Sequence, residues 1–137
     1  MMNIDHVVLW VSDPLSSLRF YRDMLGMTAV REEEYEAGKA PFPSVRVNDD
    51  CIIDLMAISM LDPARKMTGG QAGGQALNHL CINLERVNYE DIERRLARAG
   101  VEMTPGPKSS FGAQGYTPHS FYFNDPDNNI IELRYYQ

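Results

Sequence analysis

The sequence is short of most features that mark a specialised class of protein. Its two cysteines, Cys51 and Cys81, are too few for a disulfide scaffold and form no C-x-x-C pair for zinc or redox chemistry. Each stands in a strand-like segment, where a cysteine is ordinarily a small buried hydrophobe. Basic residues are outnumbered, 13 against 19 acidic, and the net charge of -6 argues against a nucleic-acid partner, which needs clustered Lys and Arg. No apolar run approaches a membrane span. The start, MMNIDHVVLW, has neither a basic n-region nor a cleavage site, so the expectation is a cytoplasmic protein with no membrane partner. What remains is an ordinary globular composition, 44% hydrophobic and 23% charged over 137 residues. That is one domain's worth of chain, or two half-size units sharing a core.

The chain repeats itself. DHVVLWVSDPLSSLRFYRDMLGM (5–27) aligns with NHLCINLERVNYEDIERRLARAGV (78–101): a polar residue, a histidine, an alternating strand, then a helix closed by glycine. In the first helix Ser12 or Asp13 caps and Pro14 suits an early position. Leu15, Leu18, Tyr21 and Leu25 recur at helical spacing, and Gly26 fits a left-handed stop. In the second, Asn88 is the expected cap, Ile92, Leu96 and Ala99 face inward, Arg94, Arg95 and Arg98 face solvent, and Gly100 ends the helix. Strands are expected over 28–36, 44–48 and 51–58 in the first half, and over 102–104, 119–124 and 129–135 in the second. The charge run REEEYE (31–36) reads as a solvated turn or strand edge. Each half is thus a β-α-β-β-β unit, over 4–61 and 78–137, and the Gly-, Gln- and Ala-rich stretch 62–77 between them reads as a flexible linker or a lid.

Residues two apart share a strand face. CIIDLM (51–56) and NIIELR (129–134) each place one carboxylate, Asp54 or Glu132, in an otherwise apolar strand, at a cost unless something pairs with it. His6 shares its face with Val8 and Trp10, His79 with Cys81 and Asn83, Asp54 with Ile52 and Met56, and Glu132 with Ile130 and Arg134. All four opposite faces are wholly apolar and pack on the helices. A sheet that needed only a core would not keep ionisable residues at all four related places. A sheet curled around the mixed face brings His6, Asp54, His79 and Glu132 to one cleft. Neutral imidazoles and carboxylates there suit a divalent ion such as Zn, Ni, Mn, Co or Fe, which would offset the buried negative charge.

These motifs, with SFYFNDPDNNIIELRYY (120–136) at the end, resemble the vicinal oxygen chelate superfamily: glyoxalase I, fosfomycin-resistance proteins, extradiol dioxygenases and bleomycin-resistance proteins. The resemblance runs from His6 to Tyr136. It implies an α+β fold of two βαβββ modules, a cupped mixed sheet with helices on its outer face, and a homodimer. It also implies a metal held by His6, His79 and Glu132, with Asp54 at the place of a fourth ligand. Asp is one methylene shorter than the Glu common there, so Asp54 is either a direct ligand or a water-mediated ligand, general base or hydrogen-bond partner. Tyr122, ten residues before Glu132, matches a tyrosine of the dioxygenases and is expected to contact substrate, whereas His119 points away by parity. Arg134 and Arg46 are candidate anchors for an anionic substrate, and Trp10 and Met56 candidate apolar walls. The turn DPDNN (125–129) joins two strands, with Asn128 standing in for glycine. The loop KSSFGAQGYTP (108–118) is a candidate pocket rim.

The function expected is a divalent-metal-dependent enzyme acting on a small oxygen-chelating substrate, of the glyoxalase-like lyase or isomerase type. In it Glu132, Asp54 and Tyr122 do the acid–base and positioning work. An Fe(II) ring-cleaving dioxygenase is the alternative, and a drug-sequestering dimer of the bleomycin-resistance kind the non-enzymatic one. The five residues after Glu132 hold no Lys, Ser and Arg cluster of the fosfomycin-resistance type. Replacing His79 or Glu132 by Ala is expected to abolish metal uptake and leave the fold intact.

Overall fold

The computed structural model describes residues 4–63, 77 and 79–137. Two compact units divide the chain, Met1–Ala76 and Leu77–Gln137. Most of the stretch expected to be a linker or lid, 64–76, lies outside the described residues.

The first unit runs β1 (His6–Val11), α1 (Pro14–Leu25), β2 (Thr28–Val30), α2 (Glu32–Glu36), β3 (Ser44–Asn48) and β4 (Cys51–Ala57), with a short 3-10 turn at Ile58–Met60. Its four-stranded sheet has the order β1-β4-β3-β2. β1 and β4 are parallel, as a crossover through a helix requires, and the remaining pairs are antiparallel. Asp13 caps α1 by accepting from the Leu15 and Ser16 amides, Pro14 takes the first helical position, and Gly26 ends the helix at φ 74. Leu18 and Tyr21 of α1, Leu9 and Val11 of β1, and Ile53 and Leu55 of β4 are all buried in this unit's core. Each such side chain contributes roughly 1.5–3 kcal/mol on burial.

One expectation fails here. The strand foreseen over 28–36 stops at Val30, and Glu32–Glu36 is a helix rather than a turn or strand edge. Arg31 breaks the strand with a left-handed φ of 61, and Glu32, Glu33 and Glu34 then fill the first turn, where negative charge complements the helix dipole. Arg22 of α1 holds the new helix by pairing with Glu32 at 3.2 Å.

The second unit repeats the plan with β5 (Leu80–Asn83), α3 (Arg86–Arg98), β6 (Thr104–Pro105), β9 (Ser120–Asn124) and β10 (Ile130–Arg134), in the sheet order β5-β10-β9-β6. β5 runs parallel to β10, and the rest are antiparallel. The helix starts three residues earlier than expected. Glu85 is its N-cap without a side-chain cap bond, so Asn88 lies inside the first turn. Ala99, expected to face inward, is exposed, while Ile92 and Leu96 are buried as the spacing required. Tyr89 adds an aromatic anchor, with its ring 5.0 Å from Phe121 and 4.9 Å from Tyr135. Within the segment foreseen as a loop rim, β7 (Ser110–Gly112) and β8 (Gly115–Thr117) form a separate two-stranded hairpin.

Candidate metal centre

Strand register decides which side chains can meet. In the first unit His6 stands opposite Ile52, Val8 opposite Asp54 and Trp10 opposite Met56, so these six share one face. Ser44 and Arg46 of β3 join them, opposite Asp54 and Ile52. Asp54 is 6% exposed, and the Ser44 hydroxyl donates to its Oδ1 at 2.6 Å. That bond answers part of the desolvation cost of a carboxylate in a sheet. His6 is exposed, and its Nδ1 lies 2.6 Å from Asp5 Oδ1. The hydrogen bond to Asp5, then the Asp54 charge, raise the pKa of the ring. A carboxylate on Nδ1 leaves Nε2 as the ring's ligating nitrogen, a common outer-shell arrangement for a metal-binding histidine. The guanidinium of Arg46 donates to the Asn48 and Asp49 carbonyls and closes the β3–β4 turn.

The second unit is more closely built. Glu132 of β10 stands opposite Cys81 of β5 and Tyr122 of β9, and His79 lies at the entrance to β5. Glu132 is 1% exposed. Its Oε2 is 3.1 Å from His79 Nε2, and its Oε1 is 2.6 Å from Arg134 Nη2. The Tyr122 ring meets the His79 ring edge-on at 5.6 Å between centroids. Burial, then the charge and hydrogen bond of Glu132, raise the Tyr122 pKa, so the phenol keeps its proton at neutral pH. Neither cysteine is the buried hydrophobe expected of it, Cys51 being half-buried and Cys81 exposed, yet partial desolvation and then the Glu132 charge push the Cys81 thiol up to about 11. Arg134 is buried, not exposed. Burial works against its charge, but hydrogen bonds to Tyr136 and Glu132 outweigh this and raise its pKa further. His119 turns to the helix side, stacked on Tyr135 at 4.3 Å, as its parity required.

Among the described residues no group of three or more His, Cys, Asp or Glu side chains is gathered as a metal cage. The first unit presents His6 and Asp54, the second His79 and Glu132. The second pair fits a divalent first-row ion. An imidazole nitrogen and a carboxylate oxygen are donors such an ion takes, and His79 Nε2 and Glu132 Oε2 stand 3.1 Å apart as an ion pair.

Four participants were not singled out from the residues alone. Ser44 is recognisable only once register places it opposite Asp54, and Ser110 only once the hairpin is known. Asp5 had a signal, the adjacent Asp-His pair, and Tyr136 had parity with Arg134.

Two βαβββ modules, each opening a polar sheet face with a histidine and a carboxylate, define a glyoxalase-type α+β fold. The chain belongs to the Glyoxalase/Bleomycin resistance protein/Dioxygenase superfamily, whose family model matches residues 3–133. It is 30% identical to the virulence protein STM3117 of Salmonella typhimurium, over 97% of this chain and 83% of that protein. It is 28% identical to the glutathione transferase FosA of Serratia marcescens, over 97% of this chain and 80% of the relative. Among solved structures, the integron cassette protein VCH_CASS1 from the mobile metagenome of V. cholerae superposes with a TM-score of 0.71. That pair shares 29% identity and covers 100% of this chain and 97% of the other. No helix among the described residues is long and apolar enough to cross a membrane.

Proposed function

We propose that the protein is a divalent-metal-dependent enzyme of the glyoxalase-like lyase or isomerase type, acting on a small molecule with two neighbouring oxygens. The observation that carries the reading is the His79–Glu132 pair, an imidazole nitrogen and a buried carboxylate oxygen 3.1 Å apart on a polar sheet face. His6 stands at the related place in the first module, where it shares a sheet face with Asp54 and is that module's own candidate donor. When bound, the ion would act as a Lewis acid on the substrate oxygens. The chain's own residues do the rest. Tyr122, protonated at neutral pH and hydrogen-bonded to Glu132, turns its hydroxyl to a substrate oxygen when substrate binds. Asp54 holds or moves a proton, because the Ser44 hydroxyl occupies Oδ1 and leaves Oδ2 as the acceptor. Trp10 and Met56 on the same face give apolar wall, and the active assembly is a homodimer in the cytoplasm. The likeness to FosA, named a transferase, supports an enzyme working on small molecules.

The test is metal content per chain after purification, repeated on apo-protein reloaded with Zn(II), Ni(II), Mn(II) and Fe(II). One ion held per site, lost in His79→Gln and Glu132→Gln, is the expected result. Glu132→Ala is the wrong variant, because it strands the buried Arg134 charge and so risks the fold, contrary to the expectation from sequence. No retained ion under any loading sinks the enzyme reading and leaves a ligand-sequestering protein. The Tyr122–His79 contact favours a second reading, an Fe(II) ring-cleaving dioxygenase, which oxygen uptake with catechols separates from the first.

A further inference from the structure

The geometry points to Arg134 as the positioning residue for Glu132, seated by the β7–β8 hairpin, so that the hairpin sets which carboxylate oxygen is offered to the ion. The inference rests on the proposed role of Glu132 as a ligand.

Arg134 Nη2 and Nε lie 2.6 and 3.2 Å from the same oxygen, Oε1 of Glu132. A fork-to-fork pair would spread those two donors over both oxygens. Here both bind one, and Oε2 alone is turned to His79. Glu132 is thereby fixed as a one-oxygen donor.

The hairpin holds the guanidinium in that pose. Arg134 Nη2 also donates to Ser110 Oγ at 2.9 Å, and Nη1 donates to the Tyr136 hydroxyl at 3.2 Å. Two residues along β7, a Cβ added at Gly112 would come within 2.1 Å of Arg134 Nη1 and 2.2 Å of the Tyr136 hydroxyl. A methyl at Gly112 would have to push the guanidinium and the Tyr136 hydroxyl aside. Thr117, opposite Ser110 in the hairpin, donates its hydroxyl to the Tyr135 carbonyl at 2.8 Å. Both hairpin strands are therefore tied to the chain at and just beyond β10. With its donors on Glu132, Ser110 and Tyr136, Arg134 is a positioning residue and not an anchor for an anionic substrate. A lysine would neutralise Glu132 equally well, but it lacks the planar fork needed to reach the carboxylate, Ser110 and Tyr136 together.

The test uses the full chain and three variants, Gly112→Ala, Ser110→Ala and Arg134→Lys. Co(II) titration followed by visible absorption gives affinity and ligand field. Imidazole 15N spectra of the metal-free protein report the His79–Glu132 contact, with the His79 signal assigned by its loss in His79→Gln. Gly112→Ala and Arg134→Lys are expected to keep the wild-type circular dichroism. They should bind Co(II) about tenfold more weakly or worse, as loss of outer-shell partners does, with an altered band shape and a shifted His79 signal. Ser110→Ala should move the same way by less. Wild-type affinity, band shape and ring signal in both Gly112→Ala and Arg134→Lys would overturn the inference. Should Arg134→Lys fail to fold, Gly112→Ala decides, because its added methyl meets only the ends of two flexible side chains. A wild type that takes up no Co(II) overturns the metal reading alone. The ring signal of the metal-free variants then decides positioning, a shift upholding it and no shift overturning it.

Discussion

Ser120 and Arg134 face each other across β9 and β10, and burial treats them in opposite ways. Arg134 has a partner for each of its donor groups, whereas the Ser120 hydroxyl is buried with no hydrogen-bond partner among the described residues. It points at Gly106, where an added Cβ would lie 1.9 Å from it. An unsatisfied buried hydroxyl costs about 1–3 kcal/mol of desolvation, and Ser120→Ala removes the group while leaving a void smaller than a methyl. The expected outcome is a stability gain of roughly 1 kcal/mol, seen as a rise of a few degrees in Tm. A clear fall in Tm would show that the hydroxyl is bonded after all. Single residues were unevenly legible. Asn128 in DPDNN adopts φ 63, as an asparagine in place of glycine suggested. Arg31 adopts φ 61 with nothing in its chemistry to announce it. Left-handed arginine is imposed by the strand-to-helix junction around it, not by the residue.

Elements with an apolar period were readable, and elements without one were not. α1, β1, β4, β9 and β10 each carry a buried side at the spacing their geometry demands, and β4, β9 and β10 fell within a residue of their expected ranges. α2 has no buried residue, and each strand of the β7–β8 hairpin is three residues long with Ser, Gly and Thr on its inner side. Neither leaves a hydrophobic pattern to find. Caps gave the sharper boundary in α1 than in α3, because Asp13 bonds two amides while Glu85 bonds none. Asp13→Ala should therefore cost about 1 kcal/mol in a denaturant melt, and Glu85→Ala close to nothing. α3 also carries a pH signature. Burial, then the Glu93 charge, push Tyr89 up to about 12, above its ordinary value near 10. The native state keeps that proton where the unfolded chain has released it, so the contribution is whole below pH 10 and falls away as pH rises toward 12. Thermal melts across that range should show a steeper alkaline loss in the wild type than in Tyr89→Phe. Equal slopes would mean that Tyr89 ionises as freely in the fold as outside it.

At the scale of the whole molecule the sequence repeat was the most informative feature, because it marked four positions at once and the fold reproduces them as matched pairs. It could not show how each pair is satisfied without an ion. Asp54 accepts from Ser44, and Glu132 stands between His79 and Arg134. Such partners answer much of the desolvation cost of the two carboxylates, so an ion held at the proposed centre is expected to add to the stability these contacts supply. The size of that addition follows from mass action. An ion at a hundred times its dissociation constant adds about 2.7 kcal/mol, roughly 10 °C in Tm for a chain of this length. A net charge of -6 would also gather cations loosely over the surface, and the two effects separate by ligand preference. Imidazole donors favour Zn(II) or Ni(II) over Ca(II), which takes an all-oxygen shell. The expected result is a concentration-dependent Tm rise with Zn(II) or Ni(II), little with Ca(II), and none with either ion in His79→Gln. If Ca(II) raises Tm as much, and His79→Gln keeps the effect, the ions are held by surface carboxylates and the His79–Glu132 pair is no metal centre.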